Sequence, residues 1–539
     1  YVLLAVFIYL SCALLATGYT GAKLLLIYWS FTFIFYWALF RISKWLFALS
    51  FIPLALAIVA IAPSRVLWGD GVTLRQMLLV SFYSNGDEAK EYFQMLPWDS
   101  YAAGLGLFLV ASLVFFFGWK YVAQKKHSKS IDKPINYVVT AILFSIGLVG
   151  LLKNPLKIWC FDTSLSRDFK SIHVQEYGAR VSNNALGIVA FQTYLAIQEV
   201  VSMQEAFSAP PSWKIEEVKP RYQDYILIIG ESAAADYMSL YGYPISNSSF
   251  LETCPNIKIA SDYYSPAPNT ANSLVRYLSW SNNPKDPATS EYILSDNIIS
   301  LSKAAGFETY WISTQRKIEG NRSPIGYIAE TATHSEFICD EPFWGNICKD
   351  SQLLPKLEEC LLLPSSQPRL FVVHLMGSHF VFEERLEEPL KYNHYNPSIS
   401  AYLQTLEQTD SLIKMIYELA KLTNRSFSIT YFSDHGLEAD SERKTLVHAE
   451  GKKGYHVPFI QISSDQDSRE VYHGLKHGGN FIHGFADWIG VKEPRLKSTY
   501  SFFKTDAIDS IKRFYTMRDT YVHLEDISSR PILGASNPN

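Results

Sequence analysis

Two carboxylates and three imidazoles stand directly at the ends of apolar runs in the second half of this sequence. Tyr225–Gly230 runs into Glu231, and Ser426–Phe432 runs into Ser433, Asp434, His435 and Gly436. Leu370–Leu375 carries His374 and opens onto Gly377, Ser378 and His379. Short runs rich in β-branched and aromatic residues read as buried strands. In an open α/β sheet, ligands bind beyond the carboxyl ends of the strands. Singly, each of these polar residues has an ordinary explanation as a loop residue or helix cap. Gathered at one edge, they are the oxygen and nitrogen donors that zinc accepts. A nucleophile is available nearby. Asn269, Thr270, Ala271, Asn272 and Ser273 follow Ser265-Pro266-Ala267-Pro268 and precede the apolar-periodic run Leu274–Trp280. That places Thr270 at a helix N-terminus, where backbone N–H groups can hold a phosphate oxygen. Its bland alternative is plain helix capping, a common task for threonine.

The elements that must position these groups follow from the same periodicities. Strands are predicted over 225–230, 308–314, 370–375, 426–432 and 457–463, with helices between them, for example 296–305 and 399–422. Strands alternating with helices imply a mostly parallel, doubly wound sheet covered on both faces. Ahead of this α/β domain, 216–539, lies a transitional stretch, 153–215. Within it Asn184–Phe207 has helical spacing and stops at Ala209-Pro210-Pro211. It reads either as an interfacial helix bridging the two parts or as a surface helix of the soluble domain.

Residues 1–152 are different. Five apolar runs, near 1–17, 23–40, 44–63, 101–119 and 135–152, are each about the ~20 residues a bilayer-crossing helix needs. The first begins at Tyr1 rather than Met, so N-terminal residues are expected to be missing; four later spans argue against a cleaved signal peptide. Lys120, Lys125, Lys126, Lys129 and Lys133 between the last two runs, with Arg41 and Lys44, mark the cytoplasmic side. The acidic stretch 64–100 (Asp70, Asp87, Glu88, Glu91, Asp99) then faces outward, and the C-terminal domain with it. The whole chain of 539 residues is 48% hydrophobic and 19% charged with net charge −4, which excludes a disordered chain and the basic surface of a nucleic-acid binder. Cys160, Cys254, Cys339, Cys348 and Cys360 fall on the outer side, where disulfides persist, and Cys12 lies in a span. Cys339 and Cys348 close a short loop and are the favoured pair, isolated buried thiols being the alternative. An odd count leaves one outer thiol free or the assignment of sides incomplete.

Four segments in order carry a family resemblance: Gly230-Glu231-Ser232-Ala233-Ala234-Ala235-Asp236, Asn269-Thr270, the run from His374 to His379, and Tyr431-Phe432-Ser433-Asp434-His435-Gly436. So arranged behind five spans, the chain resembles the bacterial phosphoethanolamine transferases of the alkaline phosphatase/sulfatase superfamily. Val218-Lys219-Pro220-Arg221-Tyr222 and the extension to Leu437 look most like the branch acting on periplasmic glucans or lipopolysaccharide-core glycans. The resemblance implies an inner-membrane protein with a periplasmic catalytic domain. Its zinc ligands would be Glu231, Thr270, Asp434 and His435, with Thr270 as the nucleophile that carries phosphoethanolamine. His379 and His448 would hold the phosphate and assist proton transfer, with His374 and His456 as further substrate contacts; a plain surface histidine is the alternative for His448. Ser84, Asn85 and Glu88 resemble a segment that holds the donor headgroup; a solvated loop is the alternative there. Ala234 stands where the family usually has a basic residue.

The resemblance thus implies a monomeric transferase that takes phosphoethanolamine from phosphatidylethanolamine and gives it to a surface glycan or lipopolysaccharide. The rivals are a phosphoglycerol transferase or lipid phosphodiesterase on the same scaffold, and a catalytically inactive membrane-anchored binding or sensing protein. A sulfatase is disfavoured because Thr270-Ala271-Asn272-Ser273-Leu274 lacks the Cys/Ser-x-Pro-x-Arg motif.

Overall fold

The computed structural model describes residues 2–15, 22–68, 72–83, 93, 96–125, 134–152, 182–282, 292–317, 323–339, 348–392, 396–441, 444–449, 451–497, 500–503, 509, 513–517 and 520–533. Two compact units emerge, Tyr1–Ser84 with Tyr92–Ser202 forming one and Met203–Asn539 the bulk of the other.

The first unit is helical: α1 (Val2–Leu15), α2 (Ala22–Ile42), α3 (Lys44–Trp68), α4 (Leu74–Tyr83), α5 (Trp98–Lys125) and α6 (Pro134–Leu152). All but α4 lie on the predicted apolar runs; α4 falls inside 64–100, read from the sequence as a loop. Leu25–Ile42, Lys44–Arg65 and Trp98–Lys120 are long and apolar enough to cross a membrane, whereas α1 and α6 supply shorter apolar stretches. Close approach of α6 to α2 depends on Gly147, where a Cβ would stand 2.7 Å from the Phe35 Cα. A seventh helix, α7 (Ala185–Ser208), begins in this unit. Ala185, Ile188 and Val189 join its core, and the Ala185 N–H donates to the Thr32 hydroxyl at 2.9 Å. Arg75 pairs with Glu199 farther along α7. The bridging segment is therefore an integral helix of the apolar unit before it leads into the second.

The second unit is built on an eight-stranded sheet: β1 (Asp224–Gly230), β2 (Ile257–Ala260), β3 (Glu308–Ser313), β4 (His334–Phe337), β5 (Arg369–His374), β6 (Phe427–Ser433), β7 (Phe459–Ser463) and β8 (Glu470–Tyr472). Their order is β8-β2-β7-β6-β1-β5-β3-β4. The run β6-β1-β5-β3-β4 is wholly parallel; β7 is antiparallel to both its neighbours, β6 and β2. Five strands match the sequence prediction. The other three, β2, β4 and β8, have at most four residues each and no pronounced apolar run.

Alternation along β1 explains why both faces are covered. Ile226 and Ile228 point into one core, with Leu357, Tyr402, Ile413 and Ile416 from the helices Leu354–Leu362 and Pro397–Leu422. Tyr225, Leu227 and Ile229 point into the other, with Leu274, Ile299 and Phe485 from a second helical layer. Burying a Leu or Ile side chain contributes about 1.5–3 kcal/mol, so a fully buried strand with two apolar faces is strongly fixed in register. At the amino ends of the central strands, Asp224 receives the Arg369 guanidinium at 2.7 and 2.8 Å and Arg425 at 2.9 Å. Remaining Arg369 donors reach the carbonyls of Cys360, Leu361 and Leu363, so its buried charge is fully bonded. Cys339 and Cys348 form the expected disulfide, while Cys12, Cys254 and Cys360 are buried free thiols; Cys160 lies outside the described residues.

Candidate active site

At the carboxyl ends of these strands the chemistry predicted from sequence comes together. Glu231 follows β1 directly, and Asp434 and His435 follow β6, its parallel neighbour. One ligand atom from each of the three lies within 4.8 Å of the other two, and all three side chains are buried.

Each group is aimed by its surroundings. The Asp434 Oδ1 accepts the N–H of Ser232 at 3.0 Å and of His435 at 2.7 Å. Its Oδ2 is buried with no hydrogen-bond partner and stands 3.4 Å from the His435 Nε2. His435 donates from Nδ1 to the Gly436 carbonyl at 2.9 Å, which leaves the Nε2 lone pair facing the cluster. Glu231 Oε1 accepts the Ser232 hydroxyl at 2.7 Å and lies 3.4 Å from the His435 Nε2. Ser232 sits in the left-handed region at φ 60°, a conformation costly for a residue with a Cβ. Tyr402 holds it there, donating its hydroxyl to the Ser232 carbonyl at 3.0 Å and accepting the Ala234 N–H at 2.9 Å.

Thr270 completes the arrangement. It is the first residue of α8 (Thr270–Leu278), and the cap is Asn269, whose side chain accepts the Asn272 N–H at 3.1 Å. Capping therefore falls to the neighbour and the Thr270 hydroxyl is left for the site. Its Oγ1 lies 3.1 Å from the Glu231 Oε2 and 3.3 Å from the His435 Nε2.

The electrostatics of these groups suit a cation. Burial and the Glu231 charge push Asp434 up to about 7. Burial opposes the charged form of His435, yet Asp434 and Glu231 raise it to about 9. Burial also works against an ionised Glu231, but His435 outweighs it and holds that carboxyl well below the usual range. Two buried carboxylates thus crowd one imidazole, and a buried carboxylate oxygen with no partner is costly, so the group suits a bound cation. Glu, Asp, His and a threonine oxygen in this arrangement fit a zinc ion.

The remaining predicted residues divide. The His448 ring lies 4.7 Å from that of His435, with Nδ1 buried and without a partner. Burial, aided by His435 and His379, lowers it to about 3, so it is a neutral base. His379 donates from Nδ1 to the Phe380 carbonyl at 2.7 Å. His374 ends β5, edge-on to Trp311 and 3.3 Å from the Ser313 hydroxyl; burial lowers it to about 4. It stands outside the ligand group and faces a small cavity shared with Gln315 and Lys317. His456 differs from the expectation of a substrate contact. Both its ring nitrogens are engaged within the domain, with Asp236 at 2.8 Å and the Ser261 carbonyl at 3.0 Å, and Tyr264 stacks on it. Ser84, Asn85 and Glu88 lie outside the described residues. Ala234 is fully buried beside Gly436.

One neighbour escaped the sequence reading. Gln315, just past the end of β3, donates to the Glu231 Oε2 at 3.3 Å and to the Leu375 carbonyl at 3.0 Å. It sits at a strand's carboxyl end like the others; a search for metal ligands alone passes over an amide.

Residues 223–491 match the Sulfatase family model. Phosphoethanolamine transferase OpgE of Escherichia coli (strain K12) is 28% identical over 454 residues, 83% of this chain and 81% of that protein. The integral membrane lipooligosaccharide phosphoethanolamine transferase A of Neisseria meningitidis has a similar fold, with TM-score 0.60 at 17% identity, over 92% of this chain and 97% of that one. The C-terminal periplasmic domain of EcEptC from Escherichia coli, in complex with Zn, matches with TM-score 0.51 at 20% identity, over 61% of this chain and all of that one.

Proposed function

We propose that this chain, which belongs to the bacterial phosphoethanolamine transferases of the alkaline phosphatase/sulfatase superfamily, moves phosphoethanolamine from phosphatidylethanolamine to a cell-envelope glycan or lipopolysaccharide. The observation that carries the reading is the Thr270 hydroxyl, uncommitted to capping and set between Glu231 and His435 beside the unpartnered Asp434 oxygen. Glu231, Thr270, Asp434 and His435 hold the zinc, which when bound favours the Thr270 alkoxide and stabilises charge on the transferring phosphoryl oxygens. Zinc in the similar EcEptC domain supports this choice of metal.

Thr270 attacks the phosphorus of the donor, and the bond from phosphorus to the diacylglycerol oxygen breaks. An imidazole, His379 or His448, takes the Thr270 hydroxyl proton and passes it to the departing diacylglycerol oxygen. The acceptor oxygen then attacks the phosphoethanolamine on Thr270 and gives its proton to the same imidazole, which returns it to Thr270 as the bond from phosphorus to Thr270 breaks. The first-turn N–H groups of α8 that the Asn269 side chain does not take would hold an oxygen of the transferring phosphoryl group. In this reading five helices cross the inner membrane with the N-terminus in the cytoplasm, the catalytic domain is periplasmic, and the protein works as a monomer. The apolar runs and the basic loop after α5 support that topology.

The test uses the full chain in zinc-containing proteoliposomes. Phosphatidylethanolamine labelled in its headgroup should deliver label to purified envelope glycan, and Thr270→Ala should abolish delivery without lowering the melting temperature. Label delivered from phosphatidylglycerol instead would replace the donor in this reading. Full transfer by the Thr270→Ala protein would sink the mechanism.

A further inference from the structure

Two loops carry site residues without touching each other through any metal ligand. One follows β3 and holds Thr314 and Gln315; the other follows β5 and runs through Met376 and Gly377 to His379. They bond to each other directly, Gln315 to the Leu375 carbonyl and the Met376 N–H to the Thr314 hydroxyl, and one carboxylate clamps both. Asp350 opens a short turn, Asp350–Leu353, two residues after Cys348. Its Oδ1 accepts the Thr314 hydroxyl at 2.5 Å and the Met376 N–H at 2.9 Å. Its Oδ2 accepts the Gly377 N–H at 2.8 Å.

Every one of these donors belongs to, or directly precedes, a residue that meets the cluster. Gln315 reaches Glu231 and ties back to the Leu375 carbonyl. The Ser378 N–H donates to the Glu231 carbonyl at 2.9 Å, and the His379 N–H to the Met376 carbonyl at 3.1 Å. Gly377 holds φ 47°, with the Glu231 backbone against it. Asp350 itself is anchored from behind. The Cys339–Cys348 bond ties its segment to the chain just past β4, where the Ile338 N–H donates to the Ser313 carbonyl at 2.8 Å.

We propose that Asp350 is a positioning residue, which by gripping Thr314, Met376 and Gly377 sets His379 and Gln315 against Glu231 for phosphoryl transfer. This rests on the reading of the site as a transferase centre. Three charge-assisted bonds to one carboxylate fix both loops, and a loop freed to move even a fraction of an ångström misplaces His379. The zinc ligands themselves follow β1 and β6 or open α8, and none of them bonds to Asp350.

Asp350→Asn preserves the volume but turns an amide N–H₂ toward donors. In the zinc-loaded full chain it should lower kcat for headgroup transfer by about tenfold or more while KM for the donor lipid and the zinc content stay within about twofold. The decisive arm is a double-mutant cycle: in a His379→Ala background the same substitution should cost less than about twofold. Equal losses in both backgrounds would reduce Asp350 to a fold-stabilising residue and overturn the proposal. Thr314→Val, which removes one of the three donors, serves if the Asp350→Asn protein fails to fold; it should show a smaller kcat loss with the same dependence on His379.

A second readout needs no activity. With ¹⁵N-labelled histidine, Asp350→Asn should shift the His379 ring resonances and leave those of His456 in place, since Asp236 and Ser261 hold that ring. Unmoved His379 signals overturn the proposal whatever the substrate. A wild-type protein that transfers no headgroup, yet shows the His379 shift, would remove the transferase reading and leave the positioning role standing.

Discussion

Alanine at Gly377 should damage the metal site without changing a single ligand. Gly377 lies at φ 47°, and a Cβ built there would stand 2.9 Å from both the N and the O of Glu231 and 3.2 Å from its Cβ. Ordinary van der Waals contact starts at 3.4 Å, so the two backbones must separate by about 0.5 Å (3.4 − 2.9). Neither atom is at the end of a flexible side chain, so one loop has to yield. The left-handed conformation adds about 1–2 kcal/mol for a residue with a Cβ. Together with overpacking of about 1–3 kcal/mol, this makes Gly377→Ala roughly 2–5 kcal/mol less stable than wild type. Displacement of Glu231 by half an ångström should also weaken zinc binding and lower kcat, each by about tenfold. Gly242→Ala is the matched control, because Gly242 has φ 97° but nothing within 4 Å of its would-be Cβ. It should lose only the backbone cost of about 1–2 kcal/mol and keep full zinc affinity and activity. The assays are urea denaturation, zinc competition against a chromogenic chelator, and steady-state transfer. Wild-type zinc affinity and kcat in Gly377→Ala would refute the close packing of this loop on Glu231.

Elsewhere in the domain, stability and function should separate. Asp224→Asn leaves Arg369 and Arg425 facing a neutral partner at the amino ends of the strands, so it should cost about 3–5 kcal/mol in urea denaturation while kcat of the folded fraction is retained. His456 is raised above its ordinary value: burial opposes its charge, but the bond to Asp236 outweighs it. A raised histidine stabilises most below its unfolded value near 6.5 and loses that contribution as pH climbs through the folded value. The stability advantage of wild type over His456→Gln should therefore be about 1–2 kcal/mol at pH 6 and shrink at alkaline pH; a pH-independent difference would contradict the ion pair. Replacing Cys339 and Cys348 together with alanine should cost roughly 2–3 kcal/mol for so short a loop, measured by thermal melting under non-reducing conditions.

Much of this site is legible in the sequence because its residues sit at the ends of patterned elements. Glu231, Asp434, His435 and His374 each terminate an apolar run, so finding the strands locates them. The apolar helices of the first unit are equally plain, since about 20 apolar residues leave few alternatives. Three things could not be read in that way. The edge strands β4 and β8 have little apolar content of their own and exist by pairing with β3 and β2. Whether α7 belongs to the helical unit is decided by tertiary contacts such as Ala185 with Thr32. His448 and His456 look alike on paper, yet one faces His435 with a bare nitrogen and the other is saturated by Asp236 and Ser261. Gln315 meets Glu231 across 84 residues of separation and Asp350 meets Thr314 across 36, which no local pattern records.

The most direct test of the central claim is peptide mass spectrometry on the zinc-loaded full chain after incubation with headgroup-labelled phosphatidylethanolamine in the absence of acceptor. The expected result is one phosphoethanolamine adduct on the peptide bearing Thr270, discharged when envelope glycan is added. Release of free labelled headgroup with Thr270 never modified, or an adduct on any other residue, would contradict it.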